Sequence, residues 1–312
     1  MCCALNLFPQ FLAAAVAGTG SGDLSEADLI ARYPAVAIAF TVLISLGLLA
    51  DLYLVLRFAR PWLANGAAAN QPVLKIDTKP WGLRDVVLVA SLLILALVVV
   101  EGIVWLVVKL THLDEDVALP WLLGMDMLLR LAILSGFAAL FRLRNIDWRE
   151  AIGLRREPPL RALGLGSVFF AAVLPPVAVA FAAYSKLCHV VGIKDEPQPI
   201  SDLLANSGSV MVVALIVIFA IVVAPVFEEF FFRGFAYPAL KQRWGPWAAL
   251  LMVSAVFAAF HQHVPSLGPL FALAVGLGLA YELTGSLLAP ITMHALFNAT
   301  NVAVLLYVRA HS

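Results

Sequence analysis

The sequence predicts an all-α polytopic membrane protein with about eight transmembrane helices, and three observations carry that prediction. Composition is the first. Of 312 residues, 62% are hydrophobic and 13% charged, whereas soluble domains run to about 45–50% and about 25%; the mean hydropathy is +0.96. The second is a series of apolar runs near the roughly 20 residues that a helix needs to cross a bilayer. The third is an alternation of basic and acidic connections between those runs.

The runs are 35–56, 86–110, 119–141, 163–186, 209–232, 245–262, 267–283 and 286–308. The first three are long and clean. The fourth contains Pro175 and Pro176, which remove backbone donors and predict a kink. The fifth has Glu228 and Glu229 at its inner end. The sixth and seventh are short, so one of them is expected to tilt or to cross incompletely. The stretch 7–18 is too short to span and is expected at the interface.

Connections 57–85 (Arg57, Arg60, Lys75, Lys79, Arg84) and 142–161 (Arg142, Arg144, Arg149, Arg155, Arg156, Arg161) are basic, as is the segment holding Arg233, Lys241 and Arg243. Connection 111–118 holds Asp114, Glu115 and Asp116, and 187–208 is mildly acidic. The positive-inside rule puts the basic segments in the cytoplasm and the N-terminus outside. Eight spans return the C-terminus to the outside, a conclusion that one miscounted span reverses.

The expected organisation is an N-terminal membrane module of about three spans over 1–145, an amphipathic cytoplasmic linker over 146–162, and a unit over 163–308 that holds every candidate functional group. Pro158 and Pro159 are expected to stop any helix in the linker. The stretch 64–72 reads as a flexible loop. The chain is expected to be an integral protein of a bacterial-type plasma membrane, with the lipid bilayer as its constant partner. Lys plus Arg balance Asp plus Glu at 20 each, so charge indicates no nucleic-acid partner. Cys2, Cys3 and Cys188 show no metal-binding or paired spacing. The first twenty residues lack Lys and Arg, unlike a standard signal peptide.

Ionisable side chains at membrane depth are costly, face a bundle interior and mark functional sites. Glu229 and Arg233 are four apart on one helical face, so they can pair. Glu228 points about 100° away. One carboxylate is thus tied up and the other is left for chemistry; in an apolar pocket a carboxylate can act as a general base. Phe257 and His261 share a face, as do His294 and Asn298. Imidazole can hold a water or a metal, and an asparagine amide can donate to an oxyanion. Either histidine alone reads as a packing residue, and the glutamates alone read equally well as a wet helix end. Three spans contributing together point to one polar chamber. His263, two residues from His261, is read as loop. Asp126 and Arg130 are expected to pair with each other. Glu101 has no obvious local partner; of a substrate contact and a bridge to Arg130, the structural bridge is the preferred reading. Glu282 is expected to meet interfacial water.

Glu228-Glu229-x-x-x-Arg233, Phe257-x-x-x-His261 and His294-x-x-x-Asn298 resemble the three-motif signature of the CAAX protease and bacteriocin-processing (CPBP, or Abi) family of intramembrane proteases. Ala224-Pro225, Gly234 and Gly285-Ser286-Leu287 through Pro290 fit that pattern. The resemblance covers roughly 145–308. It implies a catalytic chamber built by the C-terminal helices and a glutamate-dependent endopeptidase of the CAAX prenyl protease type, acting on a membrane-associated protein or peptide. It further implies that Glu228 activates water, His261 holds it, His294 and Asn298 steady the oxyanion, and Glu229, Arg233 and Phe257 support the site. No cofactor follows with certainty. The motifs lack the His-Glu-x-x-His zinc pattern, yet Glu228, His261 and His294 are donors that zinc accepts.

Depth presents one difficulty. From the run boundaries, His261 lies about 22 Å from the inner end of its helix and His294 about 12 Å from its own. Both must reach one chamber, which requires a tilt, a late start or a bend such as Pro225 permits. Two other classes stay open. A non-catalytic scaffold or immunity protein would keep the fold and lose the chemistry. An ion-coupled transporter would bury similar groups, although no inverted repeat is visible.

Overall fold

The computed structural model describes residues 31–59, 76, 79–111, 115–154, 156–193 and 198–311, and every regular element among them is helical. The stretch 7–18, Cys2, Cys3, the loop 64–72 and the side chain of Glu101 lie outside the described residues. The long helices are α1 (Pro34–Leu54, continued by a π turn, Val55–Ala59), α2 (Leu83–Thr111) and α3 (Glu115–Leu143). A short α4 (Trp148–Ala151), capped by the Asp147 carboxylate, precedes α5 (Pro159–Val190) and α6 (Pro199–Asn206). The continuous run Val210–Phe260 divides into α7 (210–244) and α8 (246–260); α9 (Leu267–Thr284) and α10 (Leu288–His311) complete the chain.

Among the described residues seven segments are long and apolar enough to cross a membrane, and one of them, the 51-residue Val210–Phe260, is folded double. Gly245 has φ 77° and ψ 171°, a left-handed setting that glycine alone adopts without strain. Pro246 follows and forces its predecessor out of the α region. The two arms then pack antiparallel: the Phe232 ring lies 5.3 Å from that of Phe257 and 6.1 Å from that of Phe260. The bundle therefore makes eight passes, and the sixth, α8, is short as expected.

α5 is the most buried of the long helices and packs against α1, α9 and α10. Pro175 and Pro176 do not interrupt it. A proline at 175 leaves the Ala171 carbonyl without its helical donor, and that carbonyl faces Gly47 of α1, where an added Cβ would lie 2.6 Å from it. Pro158 and Pro159 do not stop a helix either; Pro159 opens α5 as its first residue, where a missing N–H costs nothing. The outside of the bundle is apolar, with Leu49, Leu95, Val98, Trp121 and Leu128 exposed, the inverse of a soluble surface.

The principal core crosses the 145/146 boundary: Trp81, Phe137 and Phe141 share one cluster with Phe230, Phe235 and Phe257. Phe137 meets Phe235 at 4.9 Å and Phe230 at 5.0 Å between ring centres. Trp81 donates its indole N–H to the Phe235 carbonyl. The first three spans are thus packed onto the later helices.

Specific contacts gather the basic connections at one end. The Ile76 N–H reaches Glu282, Lys241 reaches the Ile76 carbonyl, and Gln242 reaches the Lys79 carbonyl. The Leu287 N–H donates to the Ile152 carbonyl at 3.0 Å. At the opposite end Gln198 bonds Ser266, and Arg309 bonds the Leu204 and Ser207 carbonyls. Tyr33 and Val308 share a cluster, so the start of α1 and the end of α10 lie together, as an even number of passes requires. Glu282 differs from the sequence expectation of interfacial water. It is buried, pairs with Lys241 at 2.5 Å and accepts from the Tyr237 hydroxyl, because α7 extends past Ala236 and brings both partners to it.

Candidate active site

The two glutamates lie in a six-residue α segment, Ala224–Glu229, between π turns Phe219–Val223 and Phe230–Ala236. Such local widening is frequent at functional sites. Because α7 runs on to 244, Glu228 lies roughly 24 Å from the inner end of its helix. The sequence put it at that end. This longer helix also resolves the depth difficulty. His261 is roughly 22 Å from Pro246 along α8. The turn before α10 is set inward, with Leu287 packed on Gly234, which raises His294 to the level of the glutamates.

Glu229 is fully buried and its Oε1 accepts from Arg233 Nη1 at 2.9 Å. Arg233 Nη2 donates to the Ala274 carbonyl at 3.0 Å, and the guanidinium lies 4.6 Å from the Phe257 ring centre. The i, i+4 spacing thus yields the expected pair. The same Oε1 also meets His294 Nδ1 at 2.9 Å. An ionised carboxylate only accepts, so Nδ1 is the donor and Nε2 is turned toward Glu228, 4.0 Å from its Oε2. Glu229 Oε2 has no hydrogen-bond partner.

Glu228 is 12% exposed and makes no such tight pair. Arg130 of α3 approaches its Oε1 at 4.0 Å while its own Nε bonds Asp126 Oδ2 at 2.8 Å. Spacing in the sequence predicted the Asp126–Arg130 pair; the reach of Arg130 to Glu228 was missed, since it joins residues on separate helices.

His261 closes α8, where Gln262 takes φ 50°. Its Nδ1 donates to the Phe257 carbonyl at 2.9 Å, satisfying a helix-end acceptor. Phe257 lies between the two histidines, 4.9 Å from the His261 ring and 5.8 Å from the His294 ring. Asn298 Nδ2 donates to the Ala220 carbonyl at 2.8 Å. Pro225 has no N–H to give to the preceding turn, and in the wider π spacing Ala220 is the residue left unpaired. The signal was present in Pro225, but the acceptor could not be named without the π turn.

One cavity of about 1000 Å³ is lined by Glu228, His261, His294 and Asn298 together. Glu229, Arg233 and Phe257 stand behind that lining. His263 was read as loop and is loop, yet it also lines the cavity and bonds Ser266 Oγ at 2.8 Å. The remaining wall is mostly apolar and includes Ala39, Leu43, Leu174 and Phe297. Zinc does not fit this donor set well: among the described residues no group of three or more His, Cys, Asp or Glu is disposed to hold a metal ion. His294 Nδ1 is committed to Glu229 besides.

The fold and these groups define an integral membrane protein whose ionisable side chains converge from several helices on one intramembrane chamber. Residues 210–300 match the family model described as Rce1-like, type II CAAX prenyl endopeptidase. That segment contains all three motifs, and over it the chain is similar to type II CAAX prenyl endopeptidases. No curated protein and no solved structure matches the chain.

Proposed function

We propose that this chain is an intramembrane endopeptidase of the CAAX-processing type, with Glu228 as the general base. The supporting observation is that Glu228, His261, His294 and Asn298 line one cavity while Glu229 is occupied by Arg233 and His294. In this reading Glu228 takes a proton from the attacking water. His261, with Nδ1 bound to the Phe257 carbonyl, offers Nε2 as an acceptor that orients that water. The hydroxide adds to the scissile carbonyl and the carbonyl π pair moves to oxygen. Asn298 supplies its second amide N–H to this oxyanion, and His294 donates from Nε2 when that nitrogen carries a proton. Collapse expels the amine, which leaves with the proton held by Glu228. Substrate and product balance as one water consumed and one peptide bond broken.

The cavity also bears on the substrate. A transmembrane helix of 20 residues is a cylinder about 30 Å long and about 10 Å wide, or about 2,400 Å³. About 1000 Å³ holds a short extended segment with apolar neighbours. A membrane-associated protein or peptide, cleaved in an unwound stretch, suits that volume.

The test is a peptidase assay on the purified protein in detergent, with reporter peptides carrying or lacking an isoprenoid chain. Glu228→Gln keeps the shape and removes the base. It is expected to abolish turnover with the thermal unfolding midpoint unchanged. Cleavage by Glu228→Gln at the wild-type rate overturns the assignment, and no cleavage of any reporter by the folded wild type favours a non-catalytic scaffold.

A further inference from the structure

We infer that Arg130, on α3 and outside the family-matched segment, is a positioning residue for Glu228. The inference rests on the reading of Glu228 as the base. Ionisable side chains at membrane depth are costly and are found paired, and the two glutamates draw on different arginines. Arg233 is committed to Glu229 and to the Ala274 carbonyl. Arg130 is the cation facing the other carboxylate, 4.0 Å away.

Its own setting is built to hold it there. Asp126 grips Nε at 2.8 Å from the preceding helical turn. The guanidinium lies 5.0 Å from the ring centres of both Phe219 and Phe227, close enough for cation–π attraction. Phe227 is the neighbour of Glu228 in sequence, and Phe219 belongs to the π turn that precedes the glutamate segment. One residue therefore ties α3 to the helix that carries the base, on the carboxylate oxygen opposite the one that faces His294. Those two contacts, each at 4.0 Å, flank the carboxylate on its two oxygens. The third span thus enters the site, and the family-matched segment alone lacks this cation.

The experiment compares Arg130→Met, Arg130→Lys, Asp126→Asn and Glu228→Gln in the purified full chain, measuring kcat, KM and the unfolding midpoint with one reporter peptide. Misplacement of a reacting group by about 1 Å costs on the order of 100-fold. Arg130→Met is expected to lower kcat by about that factor with KM within about twofold. Arg130→Lys restores part of kcat, because the charge returns without the fork. Asp126→Asn gives a smaller fall of the same kind. Wild-type kcat in Arg130→Met, with Glu228→Gln inactive, overturns this inference and leaves the protease reading standing. A rise in KM alone makes Arg130 a substrate contact and also overturns it. A loss of kcat that follows the unfolding midpoint and is not relieved by lysine reduces Arg130 to a structural residue. If Arg130→Met fails to fold, Arg130→Lys and Asp126→Asn decide the matter: wild-type kcat in both overturns the inference. Activity in Glu228→Gln overturns the underlying reading instead.

Discussion

At the scale of single residues, the site divides its two glutamates by the company each keeps. Glu229 is enclosed and holds Arg233 and His294 through one oxygen, whereas Glu228 looks into the cavity. Removing one partner of a buried ion pair strands the other, at about 3–5 kcal/mol. Glu229→Ala is therefore expected to lower stability by that order and activity with it, since His294 loses the acceptor for Nδ1. Thermal unfolding and peptidase rate measured on the same preparation check this. Intact stability in Glu229→Ala means that Arg233 finds another partner. The Glu229–Arg233 pair was legible in the sequence because both ends lie on one helix at a fixed spacing. The bond from His294 to Glu229 was not. Helical spacing says which residues of one helix face the same way, but not which helix stands opposite. Glu282 was misread for the same reason: position near a helix end implies water only when no other helix covers it, and α7 covers it.

Among elements, the departures from a plain helix place the site. The π turns on either side of Ala224–Glu229 and the Gly245–Pro246 reversal set the depth at which α7 and α8 meet. The number of passes was legible from run lengths, and the short α8 was visible too. The real end of α7 was not, because its extension, Arg233 to Trp244, carries charges that a hydropathy reading takes as a loop. Two of those charges are paired within the bundle instead, Arg233 with Glu229 and Lys241 with Glu282. Close contact between α1 and α5 depends on Gly47. There a Cβ would meet the Ala171 carbonyl and Pro175 Cδ at 2.6 Å each, and backbone cannot yield as a flexible side chain does. Gly47→Leu is expected to push α1 from α5 and cost about 1–3 kcal/mol. Activity should fall too, because Leu43 and Ile44 beside it line the cavity. Gly164→Ala, with nothing within 4 Å, serves as the control and is expected to be neutral or slightly stabilising, by up to about 1 kcal/mol. Equal unfolding midpoints for the two variants refute the close-approach argument.

For the whole molecule, the contacts between connections turn a charge pattern into an orientation that can be tested. Ile76 with Glu282 and Ile152 with Leu287 bring the basic segments to one end of the bundle. Gln198 with Ser266 and Tyr33 with Val308 mark the other. Eight passes alternate between these ends without conflict, so one orientation decides every connection. By the positive-inside rule the basic segments are expected in the cytoplasm, with α4 inside and the end of α5 outside. The cavity runs from Glu228 toward the second end, where Gln198, Ser201, His263 and Ser266 line it. In this orientation the chamber lies toward the non-cytoplasmic half of the membrane. Glu150 and Val191 are both exposed and lie at opposite ends of α4 and α5. In a background with Cys2, Cys3 and Cys188 changed to serine, Val191→Cys is expected to react with a membrane-impermeant thiol reagent in intact cells. Glu150→Cys should react only after the cells are opened. The reverse pattern would turn the bundle over and direct the chamber to the cytoplasm. Labelling of both in intact cells would break the alternation itself, and with it the count of eight.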